Sequence, residues 1–149
     1  RTKARRQGNL HKRWISATQQ AGIASGHSQP STEVIVKVLV CGGRDYKDQD
    51  AMYSALDRAH AKRPIGIVIH GGARGADALA DEWAKSRGVL RAVVEALWDK
   101  QGRAAGPRRN SGMLTLVPDA VIAFPGGDGT ADMVSQATKV GVVVWRPYG

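Results

Sequence analysis

Five short apolar runs alternate with four helix-like segments over residues 34–145, and that alternation leaves few folds open to the chain. The first run, Val34-Ile35-Val36-Lys37-Val38-Leu39-Val40-Cys41, is almost continuously apolar and β-branched, as a strand covered on both faces must be. Residues 65–70, 89–96, 120–124 and 142–145 repeat the pattern, the third less purely because of Arg91 and Glu95. Between them Met52, Ala55, Leu56 and Ala59 recur at helical spacing behind a capping Asp48. Ala76, Leu79, Ala80, Trp83 and Ala84 make a second stripe that stops at Gly88, and Pro64 closes the first. Residues 98–107 read as a polar loop, after which Pro107 opens a third helix through Met113, Leu114, Leu116 and Val117. A fourth helix is expected over residues 131–140. The fold class is therefore α/β: one doubly wound domain with a mainly parallel sheet of about five strands and helices on both faces.

The same alternation says where a ligand would sit. In open parallel sheets ligands collect at the carboxyl ends of the strands, where the strand order reverses. Three glycine pairs fall at such ends: Gly42-Gly43, Gly71-Gly72 and Gly126-Gly127. The last belongs to Phe124-Pro125-Gly126-Gly127-Asp128-Gly129-Thr130, whose glycines let backbone N–H groups close around a ligand. The helix that follows would aim its positive end at the same spot, which makes an anion cradle, with phosphate the usual anion. If the first and fourth strands are neighbours, the turns share one rim.

Residues flanking these turns supply candidate chemistry. Arg74 stands at a helix start, where a cation opposes the dipole unless an anion shares the site. Asp77 suits either capping or ribose hydroxyls, and His70 reads as a satisfied structural histidine. Arg44 and Asp45 can pair with each other; Tyr46 and Trp98 offer faces for stacking a base or for packing under the loop. Arg109 and Asn110 lie at a helix entry that fixes their direction, whereas Arg108 reads as a surface arginine. No Ser/His/Asp, HExxH or Walker-type pattern occurs, and nothing asks for a metal or a cofactor.

Composition separates the first residues from the rest. Of the 149 residues, 42% are hydrophobic, enough for one domain with a real core. The net charge of +9 is concentrated at the start, where Arg1, Lys3, Arg5, Arg6, Lys12 and Arg13 face Glu33 alone. Residues 1–32 read as a basic extension, with residues 10–23 able to form a short amphipathic helix, and residues 33–149 as the domain. Such an extension is a solvated tail or a contact for nucleic acid. Cys41 is the single cysteine, so no internal disulfide forms, as suits a reducing compartment. No apolar run approaches the ~20 residues that span a bilayer. The expectation is a cytoplasmic protein without membrane contact.

With these residues in hand, the chain resembles the SLOG superfamily, and within it the YspA/YpsA-related branch of bacteria and phages. The resemblance rests on Val38 to Asp45, on Gly71-Gly72-Ala73-Arg74-Gly75-Ala76-Asp77, on Ala105-Gly106-Pro107-Arg108-Arg109-Asn110 with Met113, and on Phe124 to Met133. Relatives include the Lonely-guy phosphoribohydrolases and DNA-processing protein A. The resemblance implies a Rossmann-like sheet that binds a nucleotide or nucleotide-derived ligand, with phosphate on Pro125, Gly126, Gly127, Asp128, Gly129 and Thr130. It implies Gly42, Gly43, Arg44, Gly71, Gly72, Arg74, Asp77, Arg109 and Asn110 as further ligand contacts, and a homo-oligomer. In the phosphoribohydrolases the motif continues to a glutamate that works with an arginine on the preceding helix. Arg109 falls where that arginine would, but Met133 stands at the glutamate position. Asp132 is adjacent, yet one residue along a helix points about 100° away.

Three functions follow as expectations. The first is a sensor or sequestering domain for a nucleotide, including NAD-derived molecules. The second is an N-glycosidic hydrolase of nucleoside monophosphates, with Arg109 steering phosphate and Asp132, or else Asp77 or Asp45, substituting for the glutamate. The third is a nucleic-acid module acting through the basic extension.

Overall fold

The computed structural model describes residues 35–148. The basic extension and its expected helix lie outside the described residues. Strand β1 (Val36–Cys41) leads to helix α1 (Gln49–Lys62), β2 (Ile65–His70), α2 (Ala76–Arg87) and β3 (Leu90–Val93). Then come the short helix α3 (Trp98–Gln101), a 3₁₀ turn (Gly102–Ala104), α4 (Ala105–Leu114), β4 (Ala120–Ala123), α5 (Asp128–Lys139) and β5 (Val143–Trp145). All pairings are parallel, and the sheet order is β3-β2-β1-β4-β5.

Alternation along the strands divides the core in two, because successive side chains point to opposite faces. Val36, Val38 and Val40 of β1 meet Met52, Leu56, Ala80 and Trp83 of α1 and α2 on one face. Leu39 and Cys41 turn the other way, toward Met113 of α4 and Met133 and Ala137 of α5. Strand β4 does the same, with Ala120 and Ile122 on the first face and Val121 and Ala123 on the second. Each near-continuous apolar run is thus a strand with a helical layer on both sides.

Four expectations need correction. Residues 98–107 are not a loop: α3, the 3₁₀ turn and the start of α4 fill them. Pro107 is the third residue of α4, a place where its missing N–H leaves no helical bond unmade. Helix α4 also ends at Leu114, short of Leu116 and Val117. Helix α5 begins at Asp128 rather than Ala131, so the last three residues of the glycine-rich turn form its first turn. Strand β3 keeps only four residues, since it is an edge strand with β2 as its sole neighbour.

Val117 has a φ of 55° and its side chain is mostly exposed. A β-branched residue is poorly suited to that left-handed region. Val117→Gly is expected to raise stability by about 0.5–1 kcal/mol, the relief of strain outweighing the added freedom of the unfolded chain. Urea denaturation checks it; an unchanged or lower midpoint would mean that the conformation costs nothing here.

Among the described residues no helix is long and apolar enough to cross a membrane.

Candidate functional site

Strand order reverses between β1 and β4, and their last residues, Cys41 and Ala123, are register partners. The turns that follow them are therefore adjacent. Phe124 N–H donates to the Cys41 carbonyl at 2.9 Å, and Gly43 N–H to the Pro125 carbonyl at 2.8 Å. The Gly43 carbonyl in turn accepts from Ala76 N–H, the first residue of α2, at 3.0 Å. A single backbone residue, Gly43, thus ties the β4 turn to the start of α2.

Above this junction lies a cleft of about 760 Å³. Gly42, Gly43, Arg44, Asp77, Arg109, Asn110, Pro125, Gly126, Gly127, Asp128, Gly129 and Thr130 all line it, as the glycine turns predict. Gly71, Gly72 and Arg74 do not. Gly71 acts from behind: its carbonyl accepts from Nη1 of Arg109 at 2.9 Å. Gly72 is likewise outside the lining, with its N–H donating to Nδ1 of His70 at 3.0 Å. Arg74 is exposed and reaches Asp45 at 3.4 Å, so Asp45 pairs with it rather than with Arg44. The guanidinium of Arg44 instead lies over the ring of Trp98. His70 is structural, as expected: it is buried, and its Nε2 lies 2.8 Å from Oδ1 of Asp81.

Helix α4 delivers the polar side chains. Arg109 Nε donates to Oδ1 of Asn110 at 3.1 Å. The buried Asn110 donates through Nδ2 to the Gly129 carbonyl at 3.1 Å and to Oδ2 of Asp132 at 2.9 Å. The same Asp132 oxygen accepts from Gln136 Nε2 at 2.7 Å. Asp132, expected as a catalytic substitute, is consequently spent on fastening α4 to α5 and is not part of the cleft lining. Met133, at the position of the missing glutamate, is fully buried against the sheet.

Asp77 is the carboxylate set deepest in the cleft. It is buried and accepts through Oδ2 from Gly71 N–H at 3.0 Å and Ala73 N–H at 3.2 Å. Burial pushes its pKa above the ordinary aspartate value, against the opposing pull of Ala73 N–H, His70, Arg109 and Gly71 N–H. Burial also pushes the Cys41 thiol up to about 12, with the charge of Asp77 adding to it, so Cys41 is a packed apolar group and no nucleophile.

The raised Asp77 sets a sign for stability against pH. The folded chain holds that proton more tightly, so this group favours folding at low pH and loses that contribution as pH rises past the unfolded value toward the folded one. Asp57 and Asp81 shift the opposite way through their hydrogen bonds, and they are present in any Asp77 variant. In Asp77→Asn the fall is removed. The stability difference between variant and parent is expected to move toward the variant as pH rises above the usual carboxylate range. Urea denaturation from pH 4 to 7 measures it; a difference independent of pH would contradict the assignment.

Sequence reading missed Ala73, Lys47 and Gly106 in the lining. Gly106 directly precedes Pro107 at a helix entry, which is a usable signal; Lys47 carries none. Together the cleft sets Arg44, Lys47, Arg109 and the start of α5, which has no side-chain cap, against Asp45, Asp48, Asp77 and Asp128. Such a site can hold a compact anion on backbone N–H groups and polar, hydroxyl-bearing groups around it. Among the described residues no cluster of His, Cys, Asp and Glu is suited to a metal ion.

The model of the YspA, cpYpsA-related SLOG family matches residues 36–100, which span β1 to the first part of α3 and include the first two glycine turns. The Gene 61 protein of Mycobacterium phage D29 is 37% identical over 116 residues, covering 72% of this chain and 93% of the phage protein.

Proposed function

We propose that this chain, which belongs to the YspA, cpYpsA-related SLOG family, binds a phosphate-bearing nucleotide or nucleotide-derived molecule where β1 and β4 end. Membership points to nucleotide-related binding or processing; the phosphate on the Pro125–Thr130 turn and a sensing or sequestering role are the finer reading. The observation that carries it is the start of α5. Gly127 is the N-cap and provides no side chain to the first-turn N–H groups, and the turn opens directly onto the cleft. Such donors stay unsatisfied until water or an anion meets them, and the helix dipole favours the anion. Arg109, held by Gly71 and Asn110, adds a cation on the same cleft.

A thermal-shift series tests the reading. Nucleoside monophosphates, ADP-ribose and cyclic nucleotides are compared with the matching nucleosides. At least one phosphate-bearing compound is expected to raise Tm, with about 2.7 kcal/mol of stabilisation at a hundredfold excess over Kd. Its nucleoside should do far less. Equal effects of nucleotide and nucleoside, or none from any compound, would overturn it.

A second reading, cleavage of an N-glycosidic bond, is favoured by one observation: Asp77 is a buried carboxylate with a raised pKa that lines the cleft alongside Arg109. In this form Asp77 takes the role expected of Asp132. Release of free base from nucleoside monophosphates, followed by chromatography and abolished in Asp77→Asn, is the result it requires.

A further inference from the structure

The cleft has an aromatic wall that phosphate binding does not use. Trp98, the first residue of α3, lines it with 47% of its surface exposed, although tryptophan is usually well covered. The far edge of its indole rests over Gly106, where an added Cβ would stand 3.2 Å from Cη2. One ring face carries the exposed guanidinium of Arg44, whose central carbon lies 5.3 Å from the centroid. Arg44 and Gly106 line the same cleft. The indole is thus set in position by a residue without a side chain, and its broad face is covered by a cation that is itself in water.

The geometry points to Trp98 as the residue that selects a nucleobase, an assignment that rests on reading the cleft as a nucleotide site. A sugar phosphate satisfies the α5 turn but has no π surface to offer an indole. A planar heteroaromatic base does, and stacking is tolerant of which base it is. The base lies on the indole face that Arg44 covers, and the guanidinium moves to the outer side of the base or toward phosphate. Gly106 lets the ring lie close, since a Cβ there would crowd its far edge at 3.2 Å. The ligand class is therefore one that joins a base to a phosphorylated sugar, not a bare phosphosugar.

The test compares ribose 5-phosphate with AMP, GMP, CMP and UMP by calorimetry on the full chain and on Trp98→Ala, Trp98→Phe and Trp98→Leu. At least one nucleotide should bind the parent about tenfold or more tightly than ribose 5-phosphate. Trp98→Ala should erase that preference while leaving ribose 5-phosphate binding within about twofold, as expected when phosphate and base sites act independently. Trp98→Phe should keep part of the preference. A full preference retained in Trp98→Leu would overturn the assignment, since apolar bulk without a π face would then suffice. So would a loss in Trp98→Ala that is equal for every compound. If the parent binds ribose 5-phosphate and the nucleotides equally, this inference alone fails; if it binds none of them, the phosphate reading fails with it.

Discussion

Gly127→Asp is expected to fold as the parent chain does and to lose its phosphate-bearing ligand, with affinity falling by two orders of magnitude or more, about 3 kcal/mol. The two halves of that expectation have separate causes. A Cβ added at Gly127 meets nothing within 4 Å, and its φ of −99° is open to any residue. The neighbouring Gly126 is the contrast. A Cβ there would run into Thr130 Oγ1 and approach the Gly43 nitrogen to 2.7 Å, so the fold itself excludes one. The space beside Gly127 is cleft, and a carboxylate placed in it would take up the helix-start N–H groups and repel phosphate. Urea denaturation and calorimetry on the same preparation separate the outcomes. An unchanged midpoint with lost binding fits the account, and retained binding would mean that phosphate sits elsewhere.

Gly75→Ala is expected to cost about 3 kcal/mol of stability. Gly75 has φ 77° and ψ −124°, a conformation reserved for glycine. An alanine Cβ would also overlap the Gly43 carbonyl and crowd the Arg44 carbonyl. That carbonyl of Gly43 accepts the Ala76 N–H bond joining the β1 turn to α2, so the change strikes the residue that fastens the turns together. Chemical denaturation reads the loss. Because the same turn shapes the cleft, ligand affinity should fall alongside stability, unlike in Gly127→Asp, where the two effects part. A loss under about 1 kcal/mol would mean that the turn relaxes without strain.

Sequence periodicity located what depends on local pattern. Strand β2 matches the apolar run at 65–70 residue for residue, and α1 starts after its expected cap, with Asp48 Oδ1 accepting from Ala51 N–H. Cys41 stands opposite Ala123, so the Gly42-Gly43 and Gly126-Gly127 turns share one rim, while Gly71-Gly72 stays outside it. What escaped was tertiary. Residues 98–106 have no apolar stripe; they are helical because Trp98 packs on Gly106 and the Ala104-Ala105 pair favours entry into α4. Arg74 reads as a ligand cation because its helix start is a local signal, whereas Asp45, which it faces in the fold, lies 29 residues earlier in the chain. Asp132 reads as a catalytic substitute in sequence because no local signal reveals that Asn110, from another helix, claims its carboxylate.

A phosphate seated on the backbone of the β4–α5 turn leaves a mark on that turn's own amides. Amide NMR of the isotope-labelled chain during titration with ribose 5-phosphate, and then with the nucleotide that binds best, tests it at the atoms concerned. The largest shifts are expected on the N–H groups of Gly127, Asp128, Gly129 and Thr130, with Arg109 Nε responding and Val117 silent. Shifts confined to residues away from this turn, with those four amides unmoved at saturation, would contradict it.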